Sequence, residues 1–438
     1  MEEMVSSNNA VMMRAPLYRR LIGSDYLRNN ILLLIGSFVS GTCNLLLHPV
    51  LSRQLGPDGY GTVSSLLALL GILLLPIQFI STTVVKYASS LSAVGQTAQL
   101  NDLVRRLTAL LLPVGVLITL GLVALSGLLS ASLHLPTQGI IIMAGAFVVA
   151  LGAQVNGGAV QGLERFGWVS SLGVLSTVLR FILAGALVFL GFGVSGAMLG
   201  VILSVVLSYL ISFWPLRGLL RGGRLPSGSL RSLGSYSLTA VIAGGSTTLL
   251  MSVDTIMAKA YLSSENAGLY AALATIGKLV LFVSSSIVVV MLPRVAALHH
   301  REESATHVVT QSLVGMLALS AVAEVVFFAV PALIIRVMFG AQYVGVSGQL
   351  AWYGLAMLMF ALAQPLGTYF LAIGNRLYAL VILACCAVQA ILVVLRHDTI
   401  NQIVQAVIVS HTLLFVALFV MYAIYAMPRN WRVRAAAS

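Results

Sequence analysis

Four charged side chains lie inside long apolar runs of this sequence, and they are Arg180, Lys278, Asp254 and Glu324. A charge at the centre of a membrane helix costs at least ~2.5 kcal/mol on insertion scales, so each one must face a protein interior or a water-filled cavity. Arg180 follows Thr177 by three residues, and Lys278 follows Thr275 by three. Both cations are therefore predicted to lie on partly polar helix faces.

The cations and the carboxylates suggest different chemistry. Arginine binds phosphate through two parallel hydrogen bonds, and lysine adds a mobile point charge. Arg180 and Lys278 are therefore predicted to bind an anionic, diphosphate-like headgroup near the middle of a membrane. Asp254 and Glu324 are predicted to exchange a coupling ion, H⁺ or Na⁺, or to neutralise a cation. Asp254 and Lys278 lie on consecutive helices, about two turns apart, so an internal ion pair is the competing interpretation.

A further polar pattern occurs in the first apolar run. Ser37, Gly41, Asn44 and His48 recur at intervals of four, three and four residues, which places them on one helix face. A cavity that binds sugar hydroxyls has such a lining, and this predicts Asn44 and His48 as substrate-binding residues. A helix interface with Asn44 and His48 hydrogen-bonded has the same pattern and is the favoured alternative.

Signals for catalysis, metals and cofactors are absent from the sequence. It has no phosphate-binding Gly-x-x-x-x-Gly-Lys-Ser/Thr run and no Glu-x-x-His arrangement. The cysteines Cys43, Cys385 and Cys386 all lie inside apolar runs and lack metal-ligand spacing. We therefore expect no enzyme activity, no cofactor and no bound metal.

The elements that must position these residues are membrane helices. Of the 438 residues, 59% are hydrophobic and 8% are charged, and the mean hydropathy is +1.02. No soluble domain hides that much apolar surface. A spanning helix needs roughly 20 apolar residues, and continuous rather than alternating runs indicate helices instead of a barrel. The twelve predicted spans are 30–51, 63–85, 107–128, 139–161, 169–192, 193–215, 236–260, 267–292, 309–335, 346–372, 377–395 and 400–426.

The positive charges test this count. With twelve spans, 18 of the 24 Lys and Arg residues fall in the tails and alternate loops on one side. The positive-inside rule then predicts that both termini are cytoplasmic. The net charge of +12 is spread over short loops, so it indicates contact with anionic lipid headgroups and not with nucleic acid.

The chain divides into two matching halves. A cytoplasmic tail (1–29) is followed by six helices (30–215), a polar cytoplasmic linker (216–235), six more helices (236–426) and a second cytoplasmic tail (427–438). Residues 55–61 (LGPDGYG) align with residues 262–268 (LSSENAG), since both begin with Leu, have an acidic fourth residue and end in Gly. The pattern predicts two pseudosymmetric lobes around a central cavity. The polar, glycine-rich motif loop itself is predicted to form a turn and a helix cap.

The run 55–61, together with Asp254 and the second-half segment 268–272 (GLYAA), resembles the polysaccharide transporter branch of the multidrug/oligosaccharidyl-lipid/polysaccharide (MOP) flippase superfamily. The resemblance implies two six-helix lobes in a V around a cavity. It implies that the protein moves lipid-linked (polyprenyl-pyrophosphate) oligosaccharides across a bacterial-type plasma membrane during polysaccharide biosynthesis. The implied partners are this lipid-linked substrate, membrane lipids, a coupling ion and glycan-assembly proteins.

Three alternatives remain open at this point. The first is an ion-coupled multidrug or organic-cation antiporter of the related multidrug extrusion branch, in which carboxylates dominate the cavity. The second is a membrane-embedded glycosyltransferase or polymerase, which needs larger aqueous loops than this sequence offers. The third is a scaffold without transport activity.

Overall fold

The computed structural model describes residues 25–93, 98–219, 233–301, 303–375 and 377–426. Within these ranges every regular element is helical, which confirms the predicted all-α class. The predicted tail 427–438, residues 1–24 of the predicted tail 1–29 and residues 220–232 of the predicted linker 216–235 lie outside the described residues.

The first helical stretch, Asp25–Ala93, is two helices joined at Gly56. Gly56 has φ 67° and ψ −179°, a conformation that residues with a Cβ rarely adopt. A straight helix would separate residues 48 and 60 by ~18 Å, yet the Tyr60 hydroxyl lies 3.0 Å from His48 Nδ1. The chain therefore reverses at Gly56, and we name the two arms α1 (residues 25–55) and α2 (residues 57–93).

Thirteen further α-helices follow in the described part of the chain. They are α3 (Ala98–Ala124), α4 (Ser126–Leu133), α5 (Thr137–Gly162), α6 (Phe166–Leu187), α7 (Gly193–Ser212), α8 (Leu233–Tyr261), α9 (Ser264–Gly277), α10 (Leu279–His300), α11 (Thr306–Ala329), α12 (Pro331–Met338), α13 (Leu350–Ala372), α14 (Leu377–Leu395) and α15 (Ile400–Ala426). Shorter helical turns occupy Val188–Phe192, Trp214–Leu219 and Ala341–Gln349.

Eight helical stretches of the described chain are long and apolar enough to cross a membrane. Two of them, Leu32–Leu75 and Phe166–Arg217, contain a glycine with positive φ, at Gly56 and at Gly191. The others are Gln99–Ala124, Thr137–Gly162, Thr306–Ala329, Ala341–Ala372, Leu377–Leu395 and Ile400–Tyr425. The predicted multi-pass membrane protein is confirmed, whereas the count of twelve spans stays a prediction.

Three of the predicted spans are each divided between two α-helices. The span 107–128 is interrupted at Leu125, the span 267–292 at Lys278, and the span 309–335 at Val330. The third break has a clear cause, because Val330 precedes Pro331 and the proline ring excludes its neighbour from the helical region. Lys278 is the single residue between α9 and α10, where its backbone keeps helical angles, φ −65° and ψ −13°.

The helices before residue 220 pack mainly on one another, as do those after residue 232. Glycines allow the closest contacts in the first group, since a Cβ at Gly200 would overlap the backbone of Ala184 and one at Gly162 would overlap Ala88. In the second group α13 is central and contacts α10, α11 and α15. The α1–α2 hairpin also packs against α8 and α9, which joins the two groups.

Candidate functional site

Lys278 lies beside Asp254 in the second half of the chain. Its Nζ is 3.6 Å from Asp254 Oδ1 and donates a hydrogen bond of 2.7 Å to the backbone oxygen of Met251. The interruption of the helix at Lys278 places the side chain at the joint between α9 and α10, facing α8. The structure therefore contains the ion pair that the sequence offered as the competing interpretation.

Asp254 is almost completely buried, with 1% of its surface exposed. Its Oδ2 accepts hydrogen bonds from the hydroxyls of Tyr270, at 2.9 Å, and Tyr353, at 2.7 Å. The Thr255 hydroxyl lies 3.3 Å from Oδ1. Residues of α8, α9 and α13, together with Lys278, therefore provide partners for both carboxylate oxygens of Asp254. Sequence reasoning missed both tyrosines as partners of Asp254, although Tyr270 belongs to the motif segment 268–272.

Arg180 lies on α6 and has a different environment. Its Nε is buried and has no hydrogen-bond partner among the described residues. The nearest polar residue along its face, Thr177, bonds back to the carbonyls of Gly173 and Val174, both at 3.0 Å. A buried donor without a partner is unfavourable in a finished structure. Arg180 is therefore available to an incoming acceptor.

His48 on α1 is influenced by both predicted site cations. The positive charges of Arg180, from the first half, and Lys278, from the second half, both act on its ring. His48 Nδ1 is 3.0 Å from the Tyr60 hydroxyl, which is 3.0 Å from Thr275 Oγ1 on α9. This chain of hydrogen bonds connects α1, α2 and α9. Tyr60 is its central residue, and the sequence analysis did not identify it.

The polar pattern Ser37, Gly41, Asn44 and His48 forms a stripe along α1. This stripe is open at one end and packed at the other. Ser37 and Asn44 are exposed, and a Cβ added at Gly41 would meet no atom within 4 Å. His48 is hydrogen-bonded, as the interface interpretation requires. Asn44, one turn earlier, lies on the open part of the stripe.

Glu324 lies on α11 and packs against Gly354 of α13, the residue after the Tyr353 that bonds Asp254. A Cβ at Gly354 would overlap Glu324 Oε2, so this glycine provides the space for the carboxylate. Glu324 Oε2 is buried and has no hydrogen-bond partner among the described residues, and the same is true of Ser320 Oγ one turn earlier. The two predicted ion-coupling residues therefore differ, since Asp254 is fully satisfied and Glu324 is not.

The two halves make close contact around the α1–α2 reversal. A Cβ at Gly61 would lie 2.7 Å from the backbone nitrogen of Gly268, and a Cβ at Gly268 would overlap the carbonyl of Pro57. Gly61 and Gly268 are the matching last residues of the two repeated motifs. Direct contact between matching positions is the geometry expected beside a pseudo-two-fold axis.

Polar contacts join the halves at the same end. Lys259 Nζ, on α8, lies 3.6 Å from Asp58 Oδ1 and 3.1 Å from Ser264 Oγ. The Tyr343 hydroxyl donates to the backbone oxygen of Ser52 at 3.2 Å, and Arg53 donates to the backbone oxygen of Val337. The motif loop thus forms the predicted turn, and it also binds the other half of the chain. We call this end of the bundle, which is predicted to face outside, the corner end.

The fold matches solved transporters. An inward-facing multidrug resistance MATE family transporter of the MOP superfamily superposes with a TM-score of 0.69 at 15% identity, covering 88% of this chain and 94% of that one. A MATE in complex with MaL6 gives 0.62 at 16% identity, covering 93% and 98%. A MOP superfamily transporter from Pyrococcus furiosus, described as having a binding pocket of reverse polarity, gives 0.57 at 17% identity, covering 91% and 95%. Fold and apolar spans together define a multi-pass membrane protein with the MOP transporter fold.

The family follows from the sequence itself. Residues 26–299 match the family model described as polysaccharide biosynthesis protein. This region is more than half of the chain, so the chain belongs to that family, as the motif resemblance predicted. A comparison with curated protein sequences gives no match.

Proposed function

We propose that this protein is a flippase that moves a lipid-linked (polyprenyl-pyrophosphate) oligosaccharide across the plasma membrane during polysaccharide biosynthesis. The observation that carries the proposal is the Nε of Arg180, which is buried and has no hydrogen-bond partner among the described residues. The positive charges of Arg180 and Lys278 both act on His48. Two cations that converge from opposite halves suit an anionic diphosphate. Membership of the polysaccharide biosynthesis family agrees with such a substrate.

The proposed mechanism is alternating access between two six-helix lobes, with twelve spans in all and both termini cytoplasmic. Contacts between the halves at the corner end, including Gly61 with Gly268 and Lys259 with Asp58, support a state that is closed on the outer side. The inner part of α1 is exposed by contrast, as at Phe38, with 77% of its surface accessible. Rocking of the lobes about the glycine contact then opens the site to the other side.

Each site residue has a proposed role. Arg180 binds the diphosphate through two parallel hydrogen bonds, and Lys278 joins it when it leaves Asp254. Asn44 contacts the first sugars from the open part of the α1 stripe, and His48, at the packed end of that stripe, keeps its predicted substrate-binding role. Asp254 and Glu324 exchange the coupling ion, H⁺ or Na⁺, and glycan-assembly proteins supply and consume the substrate.

The second candidate is an ion-coupled multidrug antiporter. The observation in its favour is a pair of carboxylates, the buried Asp254 and the half-buried Glu324, in a fold shared with MATE transporters. An organic cation needs an available anion. Asp254 already contacts Lys278 and two tyrosines, so of the two carboxylates Glu324 alone is left to bind the organic cation. The charge of Arg180 repels such a cation.

Reconstitution separates the two candidates. The purified protein is placed in liposomes with a fluorescent polyprenyl-pyrophosphate disaccharide, and dithionite bleaches only the outer-leaflet pool. We expect protein-dependent exchange of the lipid between leaflets and no ethidium transport under a proton or sodium gradient. Ethidium transport without lipid exchange would overturn the flippase and establish the antiporter.

Reporter fusions test the proposed topology. We expect cytoplasmic reporter activity for fusions after Arg224 and at the C-terminus, and external activity for a fusion in the motif loop after Asp58. An external position for the fusion after Arg224 would show that the helix count and the two-lobe arrangement are wrong.

A further inference from the structure

The corner end contains a polar cavity that both halves of the chain build. Its volume is about 380 Å³, and none of the four predicted intramembrane charges lines it. The side chains in its lining that offer polar or aromatic contacts include Asp58, His134, Phe192 and Ser195 from the first half and Lys259 and Ser264 from the second. Because the lining comes from both halves, the whole cavity exists only while the halves are in contact at the corner end.

Lys259 and Asp58 give this cavity charged groups but little net charge. Lys259 Nζ lies 3.6 Å from Asp58 Oδ1 and 3.1 Å from Ser264 Oγ. The lysine side chain is 2% exposed, whereas the aspartate side chain is 72% exposed. The buried cation therefore positions a carboxylate whose oxygens remain accessible, and a carboxylate accepts up to about four hydrogen bonds. A paired cation and anion suit a neutral ligand with many hydroxyl groups, since a free anion meets Asp58 and a free cation meets Lys259.

Phe192 adds an apolar surface to the cavity. It ends the helical turn Val188–Phe192 and lies between Gly191, with φ 89°, and Gly193, with φ 56°. These left-handed angles reverse the chain at this point, and 58% of the Phe192 surface is exposed. An aromatic ring beside carboxylate and hydroxyl groups suits a pyranose ring, whose C–H groups pack on the aromatic ring while its hydroxyls bond the polar groups.

His134 supplies a further polar group. It follows α4 with φ 51° and ψ 39°, in the left-handed region where glycine is the usual residue after a helix. A histidine in this conformation is retained at a cost in backbone strain. A neutral imidazole offers one donor and one acceptor. The cavity therefore contains donors and acceptors, and a sugar hydroxyl needs both.

We propose that this cavity binds a sugar ring of the exported glycan on the outer side of the membrane. The inference rests on the proposed function, because it assigns the carbohydrate part of that substrate a second site, outside the central cavity. Asp58 accepts hydrogen bonds from ring hydroxyls, Lys259 and His134 donate to them, and Phe192 packs against the C–H groups. A ligand that contacts both halves favours the state in which they meet, so bound sugar holds the corner end closed.

The test measures binding of the free sugar. The full chain in lipid nanodiscs is titrated with the unlabelled disaccharide of the lipid exchange assay, without its lipid, and binding is followed by saturation-transfer difference NMR. Phe192→Leu should weaken binding by about tenfold, because the aromatic contact is lost. Phe189→Leu is the matched control, since Phe189 belongs to the same turn, is 76% exposed and does not line the cavity. It should leave the affinity unchanged.

Asp58→Asn tests the hydrogen bonds of the carboxylate. It should weaken binding on the order of tenfold or more, because hydrogen bonds to a charged acceptor are stronger than those to an amide. The substitution also removes the charge partner of the buried Lys259, so the variant could fail to fold. In that case Ser195→Ala, which removes only one hydroxyl from the lining, replaces it and should weaken binding by a smaller factor, about threefold.

The outcomes separate this site from the proposed flippase. Absence of disaccharide binding, or equal affinities in Phe192→Leu and Phe189→Leu, would overturn the sugar site. Displacement of the sugar by inorganic phosphate at constant ionic strength would overturn it in favour of an anion site. Arg180→Gln should slow lipid exchange and leave sugar binding unchanged. Sugar binding without any lipid exchange would remove the flippase and leave the carbohydrate site, whereas lipid exchange without sugar binding would do the reverse.

Discussion

The four predicted intramembrane charges, Arg180, Lys278, Asp254 and Glu324, form two contrasting pairs. Lys278 and Asp254 are satisfied, since they contact each other and the carboxylate also accepts two tyrosine hydroxyls. Arg180 and Glu324 each have a buried polar atom with no hydrogen-bond partner among the described residues. A protein that retains an unsatisfied buried charge does so against a cost of about 1–3 kcal/mol or more. The contrast separates charges that have partners within the fold from charges that keep a polar atom without one.

A mutation is expected to have different effects on stability and activity in the two pairs. Removal of one partner from the satisfied pair leaves the other charge buried and alone, so stability should fall. Removal of an unsatisfied charge leaves nothing unpaired, so activity should change while stability does not. The four predictions below use this difference, in order of expected effect.

The largest effect is expected from Arg180→Gln. Loss of charge-assisted hydrogen bonds worth about 1.5–3 kcal/mol should slow lipid exchange by about ten- to a hundredfold. Arg180→Lys should be less damaging, because it keeps the charge and loses only the bidentate geometry. The measurement is the dithionite assay at matched protein amounts. The exposed Arg336→Gln on α12 is the control, and a large loss of folded protein in Arg180→Gln would contradict the classification of Arg180 as an unsatisfied charge.

Lys278→Gln should lower the free energy of unfolding by about 3 kcal/mol, because it leaves Asp254 buried without its cation. The double variant with Asp254→Asn should recover much of that loss. Thermal unfolding in detergent measures both. Should the double variant restore transport as well as yield, Lys278 only neutralises its neighbour, and its assignment to the headgroup site must be abandoned.

Gly268→Ala should lower the free energy of unfolding of the closed state by about 1–3 kcal/mol, since the new methyl group overlaps the Pro57 carbonyl. Gly71→Ala on α2 is the matched control, because no atom lies within 4 Å of its added Cβ. Thermal unfolding measures the loss of stability, and cysteine labelling near residue 58 measures the loss of the closed state. Equal effects of the two substitutions would show that the halves are not in contact at the motif glycines.

The smallest change in stability is expected for Glu324→Gln. The free energy of unfolding should stay within about 0.5 kcal/mol or rise, because an unpaired buried charge is removed. Transport driven by an ion gradient should lose its dependence on that gradient. Glu303→Gln, in an exposed loop, is the control. A stability loss as large as that of Lys278→Gln would place Glu324 among the satisfied charges.

Much of the architecture could be predicted from the sequence because its causes are local. Apolar run length predicts membrane helices, and Gly56 within 55–61 predicts the turn that joins α1 and α2. The interruption at Val330 could also have been predicted from Pro331. The turn at Lys278 has no such local signal. The sequence therefore placed this cation in the middle of a helix, and the structure places it between α9 and α10.

The site could be predicted only in part. The sequence identified Arg180, Lys278, Asp254 and Glu324, since charges in apolar runs are conspicuous one at a time. It did not identify Tyr60 or Tyr353, because an aromatic residue in an apolar run has no unusual local pattern. Their roles depend on partners that are 12 to 215 residues away for Tyr60 and 99 residues away for Tyr353.

The sequence by itself determined that this chain is a helical membrane protein with four costly intramembrane charges, and its repeated motif predicts two related halves. Hydrophobicity, turn residues and repeated motifs act over a few residues, so they can be read without knowledge of packing. Only the tertiary structure decided that Lys278 is paired with Asp254 while Arg180 and Glu324 keep unsatisfied atoms. The physical reason is that hydrogen bonding in a dry interior depends on which helix faces meet, and the meeting of α6, α8, α9 and α13 is a property of the whole fold.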